Sequence, residues 1–128
     1  MQLLEFFIYS IPYTALAAAV GAVAQATINI TNDANFTVHY ITAAVEQAAV
    51  LVVNWSGTVQ IEDTGVGQNF FDRAIALESI RGTGSLPYML QTPRQIRGGS
   101  GLVVTLTNRV ATATNVQICL HGHKVREV

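Results

Sequence analysis

The chain has 128 residues, enough for one ordinary domain with its own core and too few for two independently folding catalytic domains. Hydrophobic residues make up 50% and charged residues only 12%, which excludes intrinsic disorder and leaves less polar surface than a dispersed monomer normally displays. A net charge of -1 offers no general attraction to nucleic acid or anionic lipid, and the single cysteine, Cys119, cannot close an intrachain disulfide.

Residues 3–24 form a mostly apolar opening. The small residues from Ala22 to Ala26 imitate a signal-peptidase site, but a secretory leader carries Lys or Arg near its start, and the first charge here is Glu5. A transmembrane helix is equally poor, because Ser10, Pro12 and Thr14 interrupt the run and no basic residue flanks it. The stretch reads instead as an extended arm or strand, a helical turn or loop around Ala15 to Val20, and then another strand. Residues 1–20 are accordingly set apart as an N-terminal arm and connection, and residues 21–128 as the domain.

Past the arm, apolar residues recur at every second position, the period of half-buried strands. Ala26, Ile28 and Ile30 alternate with Thr27 and Asn29, and Phe36, Val38 and Tyr40 with Thr37 and His39. With Thr31 to Ala34 as turn residues between them, the pair reads as a hairpin. Val50 to Val53 is a short apolar run, Val59 and Ile61 alternate with Gln60 and Glu62, and Asp63 to Gly67 has turn chemistry. Phe70 to Leu77, Leu86 to Ile96, Leu102 to Thr107 and Val116 to Leu120 follow as strands. Only Ala43 to Ala49 has helical character, and it is too short to stand alone. The result is an all-β chain of about eight strands, as in a sandwich, jelly roll or barrel.

Candidate chemistry is sparse. Cys119, His121 and His123 alternate along one strand and share a face, yet strand neighbours two apart lie about 6.5 to 7 Å from each other, wide for joint metal ligation. No metal or other cofactor is expected. Cys119 or Ser100 with His39 matches no nucleophile signature, and adjacent Glu62 and Asp63 point to opposite faces of a strand. The glycine clusters at 65–67, 82–84 and 98–101 have neither phosphate-loop spacing nor a following helix. The chain is therefore not expected to be an enzyme.

The order of short motifs in the second half carries a resemblance. Gly82, Gly84, Pro87 and Leu90 form a G-x-G-x-x-P-x-x-L turn; Pro93 and Arg94 follow; a strand ends in Thr107-Asn108; the last strand contains Leu120, Gly122 and Lys124. Asp33 to Phe36 precedes a strand in a similar way. This series resembles the decoration, or cement, and minor capsid proteins of tailed-bacteriophage heads. The resemblance implies a single-domain jelly-roll-like β-sandwich with an extended N-terminal arm. It further implies a virion protein on the capsid exterior, made in the host cytoplasm, that stabilises the head by binding the assembled major capsid protein as an oligomer, expected to be a homotrimer. Direct nucleic-acid or membrane partners are not expected. A rival reading is a receptor- or glycan-binding module at a vertex or fibre, with Trp55, Tyr40 and Tyr88 as its platform.

Charge is uneven along the chain: residues 1–63 carry five acids and no Lys or Arg, whereas residues 64–128 carry seven bases and three acids. Six of the seven bases are Arg, which retains charge and a planar donor fork inside interfaces. The interface candidates are the apolar arm residues Leu3, Leu4, Phe6 and Ile8 together with Arg94 and Arg97.

Overall fold

Alternating burial decides the architecture: the central strands send every second side chain into a shared interior. The computed structural model describes residues 2–52, 54–83 and 86–127, and these fold into an all-β sandwich of two antiparallel sheets. Its strands are β1 (Gln2–Ser10), β2 (Thr14–Leu16), β3 (Val23–Asn29), β4 (Phe36–Gln47), β5 (Val50–Leu51) and β6 (Gly57–Asp63). There follow β7 (Gln68–Asn69), β8 (Ile75–Ala76), β9 (Tyr88–Ile96), β10 (Gly101–Asn108) and β11 (Thr114–Glu127). The first sheet runs β1-β11-β4-β5, with β2 beside β11 and β9 beside β4; the second runs β3-β10-β6-β7, with β8 beside β6.

Strand fragments that share a partner merge into eight lanes, ordered 1-8-3-6 in the first sheet and 2-7-4-5 in the second. Lanes 1 and 8, 2 and 7, 3 and 6, and 4 and 5 are each hydrogen-bonded neighbours. The chain thus behaves as a long doubled ribbon whose successive strand pairs alternate between the sheets. Phe36, Val38, Ile41, Val45, Val116, Ile118 and Leu120 from the first sheet meet Ile28, Val59, Ile61, Leu102, Val104 and Leu106 from the second. Burial of these side chains supplies the main drive for folding.

Three local expectations are corrected. The 26–40 region is not a hairpin, because β3 pairs with β10 and β4 with β11, in different sheets. The residues between them are tied across the sandwich: the Thr31 backbone N–H donates to the Tyr9 hydroxyl at 3.1 Å, and Asn35 Oδ1 accepts from the Gly98 N–H at 2.9 Å. Ala43 to Gln47 continues β4 with strand alternation, and the chain then turns through Ala48 and Ala49 at φ 53° and 61°. Phe70 to Leu77 is mostly irregular, with β8 leading into a 3-10 turn at Leu77–Ser79. Val53 and Gly84, singled out in the sequence, lie outside the described residues.

The arm stretch is laid along the sandwich. All nine residues of β1 pair with β11, from Gln2 opposite Glu127 to Ser10 opposite Cys119, and Tyr9 and Ile11 enter the core.

The motif residues occupy structural junctions. Gly122 sits where the β11–β4 register shifts, and any side chain there would collide with the Thr37 carbonyl and the Phe36 ring. Lys124, 5% exposed, donates to Thr31 Oγ1 at 2.9 Å and Asp33 Oδ1 at 3.3 Å, with its ammonium 4.2 Å from the Phe7 ring centroid. Buried Asn108 donates to the carbonyls of Ala17 and Thr112 and accepts from the Trp55 indole N–H at 3.3 Å. The hydrogen bonds offset the cost of burying these polar groups.

Candidate functional site

The two outer faces of the sandwich differ in chemistry. On the second sheet, Gln25, Thr27, Asn29, Thr58, Gln60, Glu62, Thr105 and Thr107 alternate with core residues, so that face is mostly hydroxyl and amide groups, with Val23 and Val103 as its apolar members. On the first sheet, the same alternation turns out Leu4, Phe6 and Ile8 from β1, His121 and His123 from β11, and His39, Tyr40 and Thr42 from β4. Leu4 is 66% exposed, Phe6 61% and Ile8 46%, a concentration of open apolar area that isolated surface residues do not produce.

A bulge builds the centre of this face. Tyr40 pairs with His121 and Val38 with Gly122, leaving His39 as the extra residue on β4. Two consecutive side chains, His39 and Tyr40, consequently lean outward instead of one. His39 Nε2 lies 2.7 Å from His123 Nδ1, so one nitrogen donates a proton that the other accepts. The Tyr40 ring stacks on His121 with centroids 4.5 Å apart, while His121 Nε2 is 2.9 Å from Thr42 Oγ1. Burial lowers the His121 pKa and favours its neutral ring, whose Nδ1 is buried without a hydrogen-bond partner among the described residues. Burial likewise raises the Cys119 thiol pKa, against the lowering effect of its hydrogen bond with Thr42. That environment suppresses the thiolate a nucleophile would need. Beside it, Thr42, Ala44, Leu51, Thr83, Gln117 and Cys119 line a largely apolar hollow of about 280 Å³.

The face therefore combines an aromatic and imidazole centre, an apolar rim and an adjacent hollow. Cys119, His121 and His123 share it, as their alternation predicts: Cys119 and His121 both engage Thr42, while His123 engages His39. Among the described residues, no group of three or more His, Cys, Asp or Glu could hold a metal ion, and no helix is long and apolar enough to cross a membrane. Glu62 is exposed, whereas buried Asp63 accepts from the Gly65 N–H at 3.0 Å and shapes the turn. Ser100 lies in the β9–β10 turn, where its N–H donates to the Arg97 carbonyl, while His39 is bound to His123.

The structure divides the expected interface residues. Leu4, Phe6 and Ile8 lie together on the outer side of β1, whereas Leu3 alternates to its other side. Arg94 and Arg97 are at the opposite margin of the sheet, at or just beyond β9. Arg94 does not join the arm: its guanidinium lies 4.2 Å from the Phe70 ring centroid, at the side of the sandwich. With Arg97 it lines a separate polar cleft of about 540 Å³.

The charge split is partly neutralised within the chain. Pairing β1 with β11 brings Glu5 and Arg126 into ion-pair contact at 2.9 Å, although not in hydrogen-bond alignment, and Asp33 contacts Lys124 and Arg126 at 3.3 and 3.5 Å. The proposed aromatic platform is also dispersed. Trp55 is a core residue, 3% exposed, and Tyr40 and Tyr88 belong to adjacent positions of opposite facing, since Tyr88 pairs with inward-facing Ile41.

The histidine bulge escaped sequence reasoning because His39 and His123 are far apart in the chain and the register shift has no local motif. Gly122 between two histidines is the one visible trace of it.

No protein-family model matches the chain, and no curated protein matches it.

Proposed function

We propose that the protein is a structural component of a tailed-phage virion that decorates and stabilises the capsid, docking on the assembled major capsid protein as an oligomer. The observation that carries this reading is the asymmetry of the sandwich: an apolar, imidazole-rich outer face on the first sheet against a hydroxyl- and amide-rich face on the second. Exposed apolar residues spread along a strand suit a lattice of protein neighbours better than a small ligand, because their contacts accumulate over area instead of converging in a pocket. The lane order supports a jelly-roll reading, since paired lanes 1–8, 2–7, 3–6 and 4–5 are what winding a doubled eight-strand ribbon produces.

The mechanism is passive. Each copy bridges neighbouring capsid subunits, and several contacts must break together before it detaches. The His39–His123 pair and the Tyr40–His121 stack hold the centre rigid, limiting the side-chain entropy lost on docking. Co-sedimentation with undecorated heads assembled from the capsid protein of the same phage tests the reading. Saturable binding, and loss of binding on Tyr40→Asp in a chain that still folds, is expected. Absence of binding by the folded wild-type chain refutes it.

A further inference from the structure

We propose that β1 is a self-pairing edge, through which two copies join by antiparallel pairing of Gln2–Ser10 about a two-fold axis at Phe6. Among the described residues, β1 is hydrogen-bonded to β11 on one side and is the margin of its sheet on the other. The Ile11 N–H donates to the Ile118 carbonyl at 3.1 Å, next to the Ser10–Cys119 pair. In an antiparallel ladder such bonds alternate, so the odd residues of β1 address β11. The backbone N–H and C=O groups of Leu4, Phe6, Ile8 and Ser10 are left pointing at the free edge.

This edge lacks the usual protections. β1 contains no proline, no lysine and no bulge in its ladder. Its one charge, Glu5, faces away from the apolar stripe and is offset by Arg126.

The chain itself is the fitting occupant because the stripe is symmetric about Phe6. Antiparallel pairing in that register sets Leu4 opposite Ile8 of the second copy and Phe6 opposite Phe6. It places Glu5 opposite Phe7, so the two carboxylates are not directly opposed and each keeps its own Arg126. The register makes about ten backbone hydrogen bonds, the number a typical protein interface carries. The axis stands normal to the sheet, so the outer faces of both copies look the same way and form one continuous surface. This association is a dimer, in place of the trimer implied by the family resemblance, and it stands independently of capsid binding.

Cysteine cross-linking in the full chain carrying Cys119→Ser tests the register. Residues facing one another across a hydrogen-bonded antiparallel pair have Cα atoms about 5.5 Å apart, within disulfide reach. Phe6→Cys should therefore yield a covalent dimer under mild oxidation, Leu4→Cys should stay unlinked, and Leu4→Cys with Ile8→Cys should link again. Light scattering of the wild type at micromolar concentration should give twice the chain mass, and Phe6→Lys should halve it while the far-ultraviolet circular dichroism is unchanged. A monomeric wild type, a trimer in which Phe6→Cys stays unlinked, equal linking of Phe6→Cys and Leu4→Cys, or a Phe6→Lys dimer overturns the proposal.

Discussion

Gly122→Ala should destabilise the protein far more than adding one methyl group ordinarily does. A Cβ at this position would lie 2.8 Å from the Thr37 carbonyl carbon and 3.1 Å from the Phe36 ring, with the Thr37 oxygen nearer still. The obstacle is mainly backbone, so no rotamer change relieves it; β11 and β4 must move apart where the register shifts between His121 and Gly122. Overpacking a well-filled interior costs about 1 to 3 kcal/mol, and loosening one or two neighbouring ladder bonds adds about 1 kcal/mol each. A total of about 2 to 5 kcal/mol corresponds to a fall in melting temperature on the order of 7 to 18 °C for a chain of this size. Gly101→Ala is the control, because its nearest neighbour would be the Thr64 hydroxyl at 3.3 Å, which can give way. Differential scanning calorimetry of the three proteins measures the effect. A Gly122→Ala melting temperature within a few degrees of wild type, or equal to that of Gly101→Ala, refutes the account of the bulge.

The remaining predictions concern titratable groups. His121 has a lowered folded-state pKa because burial disfavours its charged ring; the unfolded chain therefore binds more protons below the ordinary histidine value, and stability should fall as pH drops through about 6.5 toward 5. His121→Gln should flatten that part of the melting-temperature profile, and an unchanged slope would count against buried His121 as its source. Asp33 has a lowered pKa, first through the Thr31 hydroxyl and then through Lys124; its contribution is present above the unfolded carboxylate value and is lost as pH falls through the folded one. Thr31→Val should shift the acid unfolding midpoint upward, measured by circular dichroism against pH, and an unmoved midpoint would contradict the assignment. Cys119 should react with a disulfide reagent more slowly than a free thiol at neutral pH and reach that rate only on unfolding, since burial raises its pKa; a rate equal to free thiol in the folded state would refute this.

The fold class was legible because its signal is local. Thr27 to Ile30 and Val59 to Glu62 alternate without interruption and Leu102 to Thr107 does so apart from Val103, and the structure buries Ile28, Ile30, Val59, Ile61, Leu102, Val104 and Leu106 as the alternation requires. Pairing was less legible. The 26–40 region reads as a hairpin because a short polar connector suits both a turn and a crossing, and only distant partners, Tyr9 and Gly98, decide between them. Ala43 to Ala49 looked helical because alanine propensity says little about a strand held between two neighbours. Of the interface candidates, the shared outward face of Leu4, Phe6 and Ile8 was legible because it follows from strand alternation alone. The packing of Arg94 was not legible, since charge alone does not disclose the Phe70 ring it covers. Trp55 was offered as a surface platform because a tryptophan beside a turn gives no sign of whether the chain folds over it; here Gly57 makes room for the ring and Asn108 binds its N–H.

A reconstruction by electron cryomicroscopy of the decorated particle tests the central claim most directly. The account predicts density for this chain on the capsid exterior with the outer face of the first sheet, centred on His39, Tyr40, His121 and His123, against the major capsid protein. Contact made instead through the hydroxyl- and amide-rich face around Thr27, Gln60 and Thr105, with the histidine face open to solvent, would contradict it.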